Sequence, residues 1–81
     1  MSLKLEVRKK LMKLIKEAQL TYNKKLPSEN EMASLLNVSR ITIRSVLGDL
    51  EREGVVRRQQ GSGTYVNEDF INLKANLNPM D

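Results

Sequence analysis

The sequence predicts a mainly α domain that ends in a small β-hairpin. Three observations predict it. Apolar residues recur at helical spacing in three stretches. A tight break at Asn37-Val38 separates the second stretch from the third. A Gly-rich turn, Gln60-Gly61-Ser62-Gly63, stands between two short β-type runs.

The first helix is expected over roughly Leu3 to Leu20, where Val7, Leu11, Leu14, Ile15 and Ala18 share one face. The rest of its surface carries Lys4, Arg8, Lys9, Lys10, Lys13 and Lys16 against Glu6 and Glu17. That surface is either a solvated face or one lying near phosphates or anionic lipid. Thr21 to Leu26 is polar and reads as a loop. Ser28-Glu29-Asn30-Glu31 fits a capping box, with Ser28 as the cap and Glu31 reaching back. The second helix then runs from Glu29 to about Leu36, with Met32, Ala33 and Leu36 inward. Asn37 tolerates the left-handed conformation that ends a helix, and Ser39 can cap the third. Ile43, Val46, Leu47 and Leu50 mark the buried stripe of that helix, and Gly54 closes it. Val55 to Gln59 and Thr64 to Val66 are the β-type runs. Residues 67–81 show little periodicity apart from Phe70, Ile71 and Leu73, and read as a linker.

The totals narrow the function classes. With 81 residues the chain holds one domain, and its thin core must be aliphatic, because aromatics make up only 4%. There is no Cys and no His. Disulfides, thiol or imidazole catalysis and Cys/His zinc sites are therefore excluded. There is also no phosphate-binding Gly-Lys motif and no evident carboxylate pair, so an enzyme is not expected, and neither is a cofactor or metal. No apolar run approaches membrane-spanning length. A net charge of +4 favours an anionic partner.

The break between the second and third helices carries the sharper signal. Ala33 is small where the third helix passes close, Asn37 takes the turn, and Ile43 with Val46 plugs the space between the two helices. This is a helix-turn-helix spacing, although any αα-hairpin needs similar features. With Ile43 buried, a turn of about 100° per residue puts Ile41 and Ser45 on the far side, with Arg40, Thr42 and Arg44 at the margins. Arg can engage guanine O6 and N7, Ile41 and the Thr42 methyl can touch a thymine methyl, and the Ser39 and Thr42 hydroxyls suit phosphates or base edges. The plainer alternative pairs Arg40 or Arg44 with Asp49 or Glu51 on the surface. In the hairpin, glycines after Arg57 and Arg58 permit close approach to a duplex, and Gln60 can reach a groove edge, although many hairpin tips are Gly-rich for turn geometry alone.

Taken together, "LPSENEMASLLNVSRITIRSVLGDLEREGVVRRQQGSGTYV" resembles the winged helix-turn-helix domain of the GntR family of bacterial transcription regulators. The likeness spans roughly residues 3–66. It rests on Leu26-Pro27-Ser28-Glu29, Val38-Ser39-Arg40, Thr42-Ile43-Arg44, Leu50 to Gly54, and the Gly-x-Gly-Thr-x-Val at Gly61 to Val66. The resemblance implies a three-helix core with a β-hairpin wing. It also implies a homodimer on a pseudo-palindromic double-stranded operator, with the third helix in the major groove and the wing tip at the adjacent minor groove. DNA-contacting positions of the family fall here on Ser28, Asn30, Ser39, Arg40, Ile41, Thr42, Arg44, Gln60 and Gly61. Localisation in the bacterial cytoplasm, on the nucleoid when bound, is implied as well.

Two residues depart from the pattern. Asn30 stands where the family often has Arg, and Ile41 where Thr is common, which shifts preference towards a thymine methyl. Gly48, inside the third helix, costs about 1 kcal/mol relative to Ala, and close approach of another element is one option for its presence. Length departs too. Family members carry a C-terminal effector domain that binds a small molecule and forms most of the dimer. The resemblance thus makes residues 1–66 the DNA-binding domain and 67–81 the linker towards that domain, with this chain alone largely monomeric. "INLKANLNPMD" resembles the linker of the HutC-like branch, whose effector domains bind sugars, amino acids or similar metabolites.

Two other readings compete. A winged helix can serve protein or RNA contacts, but such domains often lack a basic, Arg-containing face on the third helix. A membrane-surface module would need the apolar face of the first helix exposed, whereas Val7, Leu11, Ile15 and Ala18 are needed for the core.

Overall fold

A computed structural model describes residues 2–67. The elements run α1 (Leu3–Gln19), α2 (Glu29–Leu36), α3 (Arg40–Arg52), β1 (Val56–Gln59) and β2 (Gly63–Val66). This is the expected three-helix core with a hairpin, a winged helix-turn-helix. The tail residues Phe70, Ile71 and Leu73, and the linker assigned beyond Asn67, lie outside the described residues.

Each helix boundary has a local cause. At the start of α2, Ser28 Oγ accepts the Glu31 N–H at 3.1 Å while Glu31 Oε1 accepts the Ser28 N–H at 2.9 Å, the reciprocal capping box. Those bonds, with the backbone bond first in weight, hold the Glu31 carboxyl below its ordinary range. Asn37 ends the helix in the left-handed region (φ 58°). The Asn37 N–H donates to Ser34 O at 3.3 Å and the Val38 N–H to Ala33 O at 3.0 Å, a Schellman closure. Ser39 caps α3 by accepting the Thr42 N–H at 3.1 Å. The same closure recurs at the end of α3. There Gly54 (φ 82°) donates to Glu51 O and the Val55 N–H to Leu50 O. A side chain at Gly54 would strain the backbone, so glycine is favoured there.

The core is aliphatic and continuous. Val7, Leu11, Ile15 and Ala18 of α1 meet Met32 of α2 and Ile43, Val46, Leu47 and Leu50 of α3, with Leu26, Val55, Val56 and Val66 closing the side towards the hairpin. The apolar face of α1 is thus committed to the core, which removes the membrane-surface reading for that face. Ala33 and Leu36 are half-buried against this core, at its margin rather than inside it. Arg8 clamps α1 to the end of α3 through two bonds to the Glu53 carboxylate, at 2.8 and 2.5 Å. Among the described residues no helix is long and apolar enough to cross a membrane.

β1 and β2 pair antiparallel in the register Val56↔Val66, Arg57↔Tyr65, Arg58↔Thr64 and Gln59↔Gly63. β1 begins one residue later than the β-type run, and β2 one residue earlier. The stretch read as a loop, Thr21 to Leu26, differs more. Its end joins the sheet: the Leu26 N–H donates to Thr64 O at 2.8 Å, the Val66 N–H donates to Lys24 O at 2.9 Å, and Lys25 bridges Tyr65. Lys24, at φ 56°, provides the kink that brings the segment into register. Leu26 is buried by this docking, so one apolar residue in a polar stretch anchors a third strand-like edge.

Candidate nucleic-acid interface

The capped starts of α2 and α3 face the hairpin across an open groove of about 950 Å³. Ser28, Asn30, Arg40, Arg44, Gln60 and Gly61, all expected contact residues, line it. Ser39, Ile41 and Thr42 stand outside the groove on the first turn of α3. Ile41 is 79% exposed, Ser39 is exposed and Thr42 is half-buried. The outward assignment of Ile41 and Ser45 therefore holds, because Ile43 is fully buried and fixes the phase of the helix.

The arginines have partners other than those the plainer alternative offered. Arg40 Nη1 donates to Asn30 Oδ1 at 3.3 Å, and Arg44 Nε faces Glu29 Oε1 at 3.4 Å. Asp49 instead pairs with Lys4 at 3.1 Å and with Arg52, and Glu51 pairs with Arg58. The Lys4 hydrogen bond is the leading cause that holds the Asp49 carboxyl below its ordinary range. So α2 supplies the tethers for the α3 arginines, and Glu29 is a groove residue that the sequence reading missed. The signal was available, since Glu29 is the first residue of α2, but only the crossing of the helices brings it to Arg44. At 60% and 30% side-chain exposure this pair contributes under about 1 kcal/mol, and Arg44 can be drawn away by a better acceptor.

Two caps have spare bonding capacity. Ser28 Oγ accepts within the capping box, which leaves its hydroxyl proton free to donate. Ser39 Oγ and Thr42 Oγ1 lie 3.0 Å apart and share one hydrogen bond, so the two hydroxyls together keep one proton for an outside acceptor.

Arg58, which lines the groove, serves the fold. Its Nη2 donates to Arg44 O at 3.0 Å and its Nε faces Glu51 Oε1 at 3.7 Å, which ties β1 to α3. Gly48 sits beside this strut. A Cβ there would meet Arg52 Nη1 at 3.7 Å and Arg58 Nη2 at 3.9 Å, ordinary van der Waals distances. Among the described residues no other element crosses too closely for an alanine. At the hairpin tip the Ser62 N–H donates to Gln59 O at 2.9 Å, and Gly61 takes φ 80°, a turn geometry that favours glycine.

The groove thus collects Lys25, Arg40, Arg44 and Arg58 against Glu29 and Glu31, beside an exposed first turn of α3. That arrangement suits an anionic, extended ligand rather than a small neutral one. Among the described residues no group of acidic side chains could hold a metal ion.

Comparison with known proteins agrees with the fold and extends it. The family model described as bacterial regulatory proteins, gntR family, matches residues 3–66. An uncharacterized HTH-type transcriptional regulator, YurK of Bacillus subtilis, is 50% identical over 52 residues, covering 64% of this chain and 22% of its own length. The arabinose metabolism transcriptional repressor of Geobacillus stearothermophilus is 39% identical over 62 residues, covering 76% of this chain and 17% of its own. This chain therefore spans well under a third of the length of either relative. Among solved structures, the AraR DNA-binding domain in complex with operator ORX1 superposes with a TM-score of 0.70 at 33% identity, covering 82% of this chain and 80% of that one. Streptococcus agalactiae GntR gives 0.71 at 36% identity, covering 83% of this chain and 33% of that one. With its capped helix pair, its hairpin and this match over most of its length, the chain belongs to the gntR family of bacterial regulatory proteins.

Proposed function

We propose that this chain is the sequence-specific, double-stranded-DNA-binding part of a bacterial transcription regulator. The first turn of α3 enters the major groove, with Arg40 and Arg44 reading guanine edges and Ile41 meeting a thymine methyl. The Gly61 turn lies at the adjacent minor groove, with Gln60 at a base edge. Ser28, Asn30, Ser39 and Thr42 complete the contact set, the hydroxyls on phosphates. The observation that carries the reading is Ile41, 79% exposed and flanked by Arg40 and Arg44 on a capped helix start. Among the described residues an apolar side chain so placed has no partner, whereas a major groove offers one. That the similar AraR DNA-binding domain is solved in complex with an operator supports DNA binding by this fold.

In the whole regulator, two copies act on a pseudo-palindromic operator in the cytoplasm, and residues 67–81 lead to a further domain that binds a small-molecule effector. The named sugar-metabolism relative supports a metabolite of that kind. The direct test is duplex binding by this chain across a salt series. Affinity falls steeply with salt if cations on the protein displace condensed counterions. A salt-independent affinity, or none for any duplex, rejects the proposal.

A further inference from the structure

We propose that the contact surface for the phosphodiester backbone of duplex DNA extends from the groove, which Lys25 lines, onto the outward face of the wing, through Lys25 and Arg57 on either side of Tyr65. The inference rests on the DNA-binding reading and adds residues to it. Residues directly opposite in a sheet share a face. Arg57 stands opposite Tyr65 in the hairpin, and Lys25 bridges Tyr65 from the other side. The three side chains therefore form one row across the three segments. Burial alternates as this requires: Val56, Thr64 and Val66 point into the protein, while Arg57 is exposed and Tyr65 half-exposed.

Both cations are aimed. The Lys25 side chain lies along Gly63, so a Cβ there would fall 2.8 Å from Lys25 Cε. Gly63, at φ 147°, thus leaves the path open for the lysine. The Arg57 guanidinium stacks over the Tyr65 ring at 5.3 Å from its centre, and the ring is itself fixed by a bond of 2.5 Å between its hydroxyl and Ser62 Oγ. Among the described residues neither cation has a carboxylate at ion-pair distance, a condition shared with several lysines of α1, but only these two are held in one row across the wing. Arg57 Nη1 reaches only the neutral Gln59 Oε1, at 3.4 Å, and Lys25 meets the Glu31 charge only from beyond ion-pair distance, so ordering these two long side chains spends rotamer freedom for little return within the protein. Two backbone phosphates beside the wing tip would complete both. The ring already carries Arg57 on one face, so the row fits phosphates better than a stacked base.

The test measures binding of the 81-residue chain, Lys25→Gln, Arg57→Gln and the double variant to a labelled mixed-sequence duplex by fluorescence anisotropy over a salt series. Each single variant should reduce the slope of log K against log salt by about 0.9, and the double variant by about twice that. The loss should be the same whatever the duplex sequence, and thermal melting should confirm that each variant folds. Unchanged slopes in folded variants, with a steep slope in the parent chain, overturn this proposal alone. A parent chain with no salt-dependent duplex binding overturns the DNA-binding reading beneath it.

Discussion

Replacing Gly48 by alanine should stabilise the protein. Gly48 lies in the interior of α3, where glycine costs about 1 kcal/mol relative to alanine through its extra backbone freedom in the unfolded chain. The residue carries ordinary helical backbone, not a positive φ, so alanine adds no strain. Its Cβ would sit 3.7 Å from Arg52 Nη1 and 3.9 Å from Arg58 Nη2, within normal contact distance. The whole propensity difference should therefore appear as a gain of about 1 kcal/mol. For a domain of this size that is a rise of roughly 4–8 °C in melting temperature. Thermal unfolding followed by circular dichroism measures it. A drop of several degrees would refute the reasoning. It would mean that the Arg58 contact to the Arg44 carbonyl needs the bare backbone at Gly48, and that the gap is occupied rather than merely tolerated.

Other outcomes follow from the same geometry. Arg44→Ala should cost roughly 1–3 kcal/mol on a preferred duplex and relax base choice at one position, while its melting point moves little, because the Glu29 pair it breaks is exposed; competition binding on single-base variants measures both. Glu29→Gln should raise affinity for mixed-sequence duplexes at low salt, since a carboxylate beside the phosphate path is neutralised; anisotropy titration against the parent chain checks it. Ile43→Ala, at the fully buried centre of α3, should cost about 2–5 kcal/mol in denaturant unfolding. The Glu53 carboxyl is held below its ordinary value of 4.5, chiefly by the Arg8 hydrogen bonds. A depressed carboxyl stabilises the fold above that value, and the contribution is lost as pH falls through the folded pKa. Urea midpoints should therefore drop on acidification below that value, and less steeply in Glu53→Gln.

Much of this was legible in the sequence because the signals were local. Ser28 with Glu31, Asn37, Ser39 and Gly54 each punctuate a helix through bonds to residues within a few positions, so the boundaries of α2 and α3 can be read residue by residue. The buried stripe of α3 follows from spacing alone, and it fixes which side chains face out. What escaped was non-local. Nothing in Thr21 to Leu26 signals that Lys24 will kink and Lys25 will pair with Tyr65, since the partner lies forty residues on and the segment contains one aliphatic residue. The pairing of Arg44 with Glu29 and the diversion of Arg58 to the Arg44 carbonyl depend equally on how α2, α3 and the wing meet. The charged residues were visible from the start, but their partners were not.

The central claim is that the start of α3 reads base sequence. The measurement that tests it most directly is selection of bound duplexes from a random pool by this chain, beside Arg40→Ala and Arg44→Ala. The account predicts that one short half-site is enriched by the parent chain, and that each variant loses preference at its own position. If nothing is enriched, even when the chain is fused to a neutral dimerisation module, or if all three proteins enrich the same sequences, α3 does not read bases and the account is wrong.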